Sequence, residues 1–295
     1  ANPDQIDSRG EDHRYTTFQI FVEWFHRLLV GIIAIPIILN VFFAKKQVAT
    51  YGESVHKVTW FSLVLLAVQA TAGYITVRFD NADWTVALHL SLASIFAAGL
   101  LWQYMSMKIT EGTPWNFLNS PRTYTQKHLK RMNAMAGAVG VLLVLGAWVS
   151  SSAGGNYNQS CSVGFPNGWA KCQGSFLPTL DEPGIFIQMI HRAGAVVVGL
   201  ILILGVSNLR VSGRGLPGAN DLTRFGEITA GIWMLNVMVG GSYIVFAKIG
   251  DFPEWLSLLH LAVGVAAFLS AMFAAFAFRF AHSAVKDHEI GVEQE

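Results

Sequence analysis

The chain has 295 residues, of which 53% are apolar and only 13% are charged, and its formal net charge is +1. This composition excludes an ordinary soluble domain, and with so little net charge no nucleic-acid partner is expected. It indicates an integral membrane protein.

Seven apolar stretches are each long enough to cross the hydrocarbon layer of about 30 Å as a helix. They run over residues 23–43, 58–77, 85–105, 133–153, 186–206, 225–247 and 255–280. Lipid offers the backbone no water as a hydrogen-bond partner, so helices are the expected structure for runs of this length. The predicted fold class is therefore an all-α polytopic membrane protein with seven transmembrane helices.

Positive charges alternate between the predicted loops and predict the orientation of the chain. The loops after the first, third and fifth spans are basic, and they carry Lys45, Lys46, Lys57, Lys108, Arg122, Lys127, Lys130, Arg131, Arg210, Arg214 and Arg224. The other loops are acidic or nearly neutral, so the basic loops are expected on the cytoplasmic or matrix side. The N-terminal segment and the loop that holds both cysteines are then outside, and the C-terminus is inside.

Four histidines lie inside or at the edge of these spans and form two pairs. The first pair is His26 and His89, and the second is His191 and His260, with a similar spacing along the chain. The first member of each pair is followed by arginine, and the second lies in a Leu-His-Leu triplet. All four are expected near the outer ends of their helices. Because ionisable groups are costly in lipid and usually mark a site, two matched pairs at one level predict two places where a haem iron is held from both sides.

The order of spans, loops and histidines repeats along the chain. The repeat predicts two similar four-helix-type bundles related by a pseudo-twofold axis along the membrane normal. The first bundle lacks its first helix, because nothing in the first half corresponds to the span at 133–153. Either an upstream helix was removed or left out, or this protein lacks it. The predicted units are an outer polar segment (1–22), an N-terminal half-bundle (23–105), a basic linker (106–132), a C-terminal four-helix bundle (133–280) with an outer cysteine loop (154–185), and an inner polar tail (281–295).

One acidic residue breaks the match between the halves. Glu23 lies three residues before His26, one helical turn away on the same face, whereas the corresponding position in the second half is Gln188. The difference predicts that one site only holds its cofactor, while the other uses a proton acceptor or an electrostatic partner. The alternative is an interfacial Glu23 that pairs with Arg27.

The arginines and cysteines on the outer side each leave two interpretations open. Arg27 and Arg192 either extend to the lipid headgroups or pair with the propionates of a haem. Cys161 and Cys172 are the only cysteines, and because an outward compartment is oxidising, a disulfide that closes their loop is expected. This disulfide is either a structural staple or a redox-exchanging pair.

Several short motifs carry a resemblance to a known family. They are Glu23-Trp24-Phe25-His26-Arg27, Leu88-His89-Leu90, Gly146-Ala147-Trp148-Val149, His191-Arg192-Ala193, Leu259-His260-Leu261 and the loop run Cys161…Trp169…Cys172-Gln173-Gly174 followed by Pro178. Together they resemble the haem A synthase family, and the resemblance covers nearly all of residues 18–281. The chain departs from that family in its missing first span, whose following loop carries a further cysteine pair in many members.

The resemblance implies an oxidoreductase that converts haem O to haem A for haem-copper terminal oxidases. The methyl group at porphyrin C8 is oxidised through hydroxylated intermediates to a formyl group. The second histidine pair would hold a haem b cofactor, and the first pair would bind the haem O substrate. The implied site residues are Glu23, His26 and His89 as catalytic residues, His191, His260, Arg192 and Arg27 as cofactor-binding residues, and the four histidines as axial ligands of haem iron.

Two other functions fit the same histidine pattern. One is a dihaem b-type membrane cytochrome that passes electrons between a quinol and an outer partner, and the other is a haem chaperone or transporter. The expected partners are haem O and haem A, haem O synthase, terminal oxidase assembly factors, a membrane electron donor or acceptor, and a second copy of the chain. The expected location is a bacterial plasma membrane, with the mitochondrial inner membrane as the alternative, because the chain has no long extra tails.

Overall fold

Seven long α-helices make up the fold in a computed structural model that describes residues 17–79, 81–150, 160–249 and 253–292. They are α1 (Thr17–Lys46), α2 (Val48–Arg78), α3 (Asp83–Thr110), α4 (Arg122–Ser150), α5 (Pro183–Ser212), α6 (Ala219–Val245) and α7 (Glu254–Val292). A 3-10 turn at Asn116–Asn119 lies between α3 and α4. No strand occurs within the described ranges.

Each of the seven helices is long and apolar enough to cross a membrane. The shortest has 27 residues, which is about 40 Å at the α-helical rise. The predicted all-α polytopic fold class is therefore confirmed. The exposed Trp24, Trp84 and Trp255 lie within the first eight residues of α1, α3 and α7, near one end of each helix, as residues of an aromatic belt do.

Several helices extend beyond the apolar runs that predicted them. Helix α4 begins at Arg122 rather than at residue 133, and α7 continues to Val292 through the predicted polar tail. A helix does not have to end where its apolar run ends, because its backbone hydrogen bonds persist in water. Much of the predicted linker over 106–132 is therefore helical.

The largest buried core in the described residues lies among α4, α5, α6 and α7, and α3 adds Ala98 and Met105 to it. Its fully buried side chains include Met135, Leu202, Leu222 and Phe278. Helix α7 packs against both α4 and α6, and it also contacts α3, which joins the two halves of the chain. The pseudo-twofold relation between the halves and the division into domains stay predictions.

Candidate functional site

The four histidines occupy matching places in four alternate helices. His26, His89, His191 and His260 lie six to nine residues after the first residue of α1, α3, α5 and α7. Successive spanning helices reverse direction, so these four helices run the same way across the membrane. Each of these helices therefore carries its histidine near the same end, within its first ten residues.

The first histidine pair, His26 and His89, joins α1 to α3. The two ring centroids are 6.3 Å apart, and the ring planes meet at 77°. His89 is half-buried, whereas His26 is exposed. The side-chain amide of Gln69 on α2 donates to the His89 carbonyl oxygen at 3.0 Å, and His89 Nδ1 is buried with no hydrogen-bond partner in the described part of the chain. The pair therefore has one half-buried ring and one exposed ring.

The second histidine pair, His191 and His260, joins α5 to α7. The ring centroids are 6.4 Å apart, and the planes meet at 86°. Both rings are half-buried. His260 Nδ1 lies 3.1 Å from the carbonyl oxygen of Asn236 on α6. When this nitrogen carries the proton, it donates to the carbonyl and leaves Nε2 with a lone pair for a metal.

Three of the four imidazoles lie directly against a glycine on a neighbouring helix. A Cβ added to the glycine would be 3.0 Å from the imidazole Cε1 in the pairs Gly73–His89 and Gly146–His191, and 2.7 Å in the pair Gly240–His260. These distances are shorter than the van der Waals separation of about 3.5 Å. A side chain at any of the three positions would displace the ring, so the glycines set where the imidazoles lie.

The separation of the rings in both pairs fits a single metal ion between them. With imidazole nitrogen–metal bonds of about 2 Å, two rings on opposite sides of one ion have centroids roughly 6 Å apart. The described residues contain no group of three or more His, Cys, Asp or Glu side chains that could hold a metal ion. Because a bare ion needs more protein ligands than two, the imidazole pairs suit an iron whose other ligands come from a macrocycle, as in haem.

Glu23 and Arg27 form an ion pair in the first part of α1. The Arg27 guanidinium donates to the Glu23 carboxylate one helical turn away, which is the pairing that the sequence offered as the alternative for Glu23. The two side chains are 63% and 53% exposed for Arg27 and Glu23 respectively. Such exposed ion pairs contribute about 1 kcal/mol or less to stability. Glu23 can therefore exchange Arg27 for another partner with little loss of free energy. Gln188, its counterpart in the second half, is buried.

Arg192 is held differently from Arg27, although each follows a histidine. Its Nη1 donates to the carbonyl oxygen of Lys171 at 2.8 Å. Its Nη2 is buried and has no hydrogen-bond partner among the residues that the structure covers. Arg192 thus links α5 to the cysteine loop and keeps one buried donor available beside His191.

The cysteine loop is docked beside the second histidine pair. Cys161 and Cys172 form a disulfide. The indole ring of Trp169 packs so closely on α6 that a Cβ added to Gly241 would lie 2.8 Å from it. Gly241 adjoins Gly240, which supports His260. The sequence indicated the disulfide, but it did not reveal that the loop reaches the support of a candidate ligand.

The family model described as cytochrome oxidase assembly protein, COX15-CtaA, matches residues 5–272. The chain belongs to this family. The matched residues include both histidine pairs and the cysteine loop, so the family that the motifs predicted is confirmed over the part of the chain that holds the candidate site.

Individual members of this cytochrome oxidase assembly family are distant relatives. The chain is 27% identical over 201 residues to a Heme A synthase of Cereibacter sphaeroides, covering 59% of this chain and 48% of the relative. It is 24% identical over 187 residues to a Heme A synthase of Shouchella clausii, covering 62% of this chain and 57% of the relative. It is 24% identical over 261 residues to a Heme A synthase of Sphingopyxis alaskensis, covering 83% of this chain and 66% of the relative. The chain spans about half to two thirds of the length of these curated relatives.

Proposed function

We propose that this chain is a haem A synthase that oxidises the C8 methyl group of haem O to a formyl group through hydroxylated intermediates, for haem-copper terminal oxidases. The observation that carries the proposal is that the two histidine pairs have the same distance between their rings but differ in burial. The ring centroids are 6.3 and 6.4 Å apart, yet only the first pair has an exposed ring. Equal spacing suits the same kind of ligand, and unequal burial suits one resident ligand and one that exchanges.

In this proposal the second pair, His191 and His260, holds a resident haem b. Both rings are half-buried, and the cysteine loop packs next to them through Arg192 and Trp169. The buried Nη2 of Arg192 is a donor suited to a propionate. A bound haem b would supply one-electron transfer to the reaction. The residues around it would fix the ligand tautomer at His260 and keep water away from the iron.

The first pair, His26 and His89, would receive haem O as the substrate. Helix α1 exposes apolar side chains next to His26, including Phe25 and Leu29. An apolar porphyrin can therefore reach His26 from the lipid without crossing a polar surface. His89, backed by Gly73 and held by Gln69, would provide the fixed side of the site.

Glu23 would accept a proton or stabilise positive charge that develops near the porphyrin. Its carboxylate is exposed, lies one helical turn from His26 and is paired with the exposed Arg27. Arg27 would then change partner from Glu23 to a substrate propionate. Gln188 cannot carry this charge, which agrees with a second site that only holds a cofactor.

The remaining expectations are parts of the same proposal. The N-terminal half-bundle would be the substrate unit, and the C-terminal bundle would be the haem b unit. Both sites would lie near the outer face of a bacterial plasma membrane, with the C-terminus inside. Haem O synthase, oxidase assembly factors and a membrane electron donor or acceptor would be its partners.

The direct test is identification of the haems that the purified full chain carries after coexpression with a source of haem O. Haems are extracted, separated by chromatography and identified by mass. We expect haem b together with haem O, its hydroxylated form or haem A. His89→Leu should remove haem O and its oxidised forms and keep haem b. His260→Leu should remove haem b and leave the bound haem O unoxidised. Haem b alone in the unmodified chain would contradict the proposal.

A dihaem electron carrier would also use two pairs of nearly equal spacing, so a second test concerns Glu23. Glu23→Gln should abolish production of haem A while both haem sites remain occupied, because it removes only the charge. Glu182→Gln is the matched control, since Glu182 is another exposed outer carboxylate, at the N-cap of α5. An unaltered product profile in Glu23→Gln would favour the electron carrier.

A further inference from the structure

We propose that Asn40 and Gln103 form an amide pair that positions His26 against His89, an inference that rests on the proposed function of the first histidine pair. The two residues are positioning residues and do not touch the proposed substrate. They lie on α1 and α3, the same two helices that carry the histidines. Nothing in the motifs of the family resemblance involves them.

The two side chains form a reciprocal pair of hydrogen bonds. Asn40 Nδ2 donates to Gln103 Oε1 at 3.0 Å, and Gln103 Nε2 donates to Asn40 Oδ1 at 3.0 Å. Gln103 is only 5% exposed, and Asn40 is half-buried. Each amide satisfies one donor and one acceptor of the other, and loss of Asn40 would leave the buried amide of Gln103 without this partner, which is costly. Any axial slip of α1 against α3 would break both bonds.

The amide pair and the histidine pair share one register. Asn40 follows His26 by the same number of positions as Gln103 follows His89. This interval makes nearly four helical turns, or about 21 Å along the axis. Because the offsets are equal and the two helices run the same way, both pairs lie on the facing sides of α1 and α3. The amide pair therefore fixes the axial position at which His26 meets His89.

Helix α1 depends on this pair because little else holds it. Its buried residues are Ile37, Val41 and Ala44, all close to Asn40. In residues 17–36, every side chain except Val22 and Ala34 is exposed. Within the described part of the chain, α2 is the only helix that packs extensively against α1. An exposed hydrogen bond from Gln19 to Glu254 ties its outer end to α7.

The second half of the chain needs no such pair. The residues that follow His191 and His260 by the same interval are Gly205 and Ala274, which have no polar side chain. Helix α5, which carries His191, packs extensively against both α4 and α6. Contacts on two sides fix its register, whereas α1 has one such neighbour and the amide pair. The amide pair thus occurs in the first half of the chain, where helix packing alone does not fix the register of α1.

The test measures the register of α1 directly and without haem. Spin labels are attached to Phe25→Cys and Leu88→Cys, which adjoin His26 and His89 and are exposed in the folded chain. The two native cysteines are joined in a disulfide and take no label. Pulsed electron resonance then gives the distance distribution with and without N40L/Q103L. We expect the double substitution to broaden or shift this distribution by about 5 Å, one helical turn.

A matched label pair provides the control. Ile190→Cys and Leu259→Cys adjoin His191 and His260 in the same way and are also exposed, and their distance distribution should not change in N40L/Q103L. The swapped variant N40Q/Q103N, which keeps two amides of the same combined length, should restore the Phe25–Leu88 distribution. An unchanged Phe25–Leu88 distribution in N40L/Q103L would overturn the proposal. Equal broadening across both label pairs would also overturn it, since it would indicate a general packing role.

A second readout separates this inference from the proposed function. Titration of the full chain with ferric protoporphyrin IX should give a low-spin spectrum from both sites, and N40L/Q103L should lose the first-pair signal and keep the second. Retention of both low-spin signals would count against a positioning role. If the label distances respond as expected but the unmodified chain makes no haem A from haem O, the proposed function fails and the positioning role stands.

Discussion

Replacement of Gly240 by alanine should displace His260 from its ligand position. The added Cβ would lie 2.7 Å from His260 Cε1, 3.0 Å from Nδ1 and 3.3 Å from Nε2. Recovery of an ordinary carbon–carbon separation of about 3.5 Å requires a ring movement of roughly 0.8 Å. Metal–ligand distances tolerate displacements of about 0.2 Å. The ring therefore cannot accept the methyl group and stay in place.

The backbone of α6 has little freedom to move away instead. The Asn236 carbonyl on the same helix accepts the hydrogen bond from His260 Nδ1, and Trp169 packs against Gly241. We expect the affinity for haem at the second pair to fall by at least about 10- to 100-fold, the usual effect of disturbing the support of a metal ligand. The bound haem should change from low-spin to high-spin, because one axial imidazole is lost.

The assay is haem titration of the full chain, followed by absorption and electron resonance spectra. Gly231→Ala is the control, because Gly231 lies on the same helix and an added Cβ there has no neighbour within 4 Å. Both substitutions favour the helical state by a similar free energy, about 1 kcal/mol. The comparison therefore isolates the contact with His260. If Gly240→Ala binds haem with the affinity and spin state of Gly231→Ala, the steric reasoning is wrong.

Three further substitutions test other parts of the structure. Gly73→Ala would bring a Cβ to 3.0 Å from His89 Cε1 and should weaken haem at the first pair alone, as a haem count for each site will show. Trp169→Ala should loosen the packing of the cysteine loop on α6 and speed haem loss from the second pair several-fold; an unchanged release rate would mean that this packing does not support the site. Ser212→Ala removes the 2.8 Å hydrogen bond to Nε2 of the fully buried His128. It should lower the free energy of unfolding by about 1–3 kcal/mol, measured by chemical denaturation, and equal stability would show that the buried ring finds another partner.

The seven helices could be predicted from the sequence because lipid leaves the backbone one way to satisfy its hydrogen bonds over long apolar runs. The ends of the helices could not. The apolar run that predicted α4 starts at residue 133, but the helix begins at Arg122. Outside the lipid, a polar segment can either continue a helix or end it. Hydropathy therefore marks where a span leaves the membrane and does not mark where the helix ends.

The histidine pairs could be predicted because four alternate spans run the same way, which brings the residues near their first turns to one level. Their glycine supports could not be predicted. Gly73, Gly146 and Gly240 each precede the histidine that they contact by a different interval along the chain. These intervals share no period, because each contact depends on how two helices cross. The sequence of a single helix therefore does not reveal which glycine contacts which histidine.

The amide pair lies between these two cases, because the sequence does contain its signal. Asn40 and Gln103 are separated along the chain by the same interval as His26 and His89. Two polar pairs with equal separation on two helices that run the same way can meet at two levels of one interface when the helices stay close over that length. Here the rings of His26 and His89 lie together and the amides of Asn40 and Gln103 also meet. The equal offsets of these polar residues therefore indicate the register of α1 against α3. The distance between the labelled Phe25 and Leu88 positions measures that register directly.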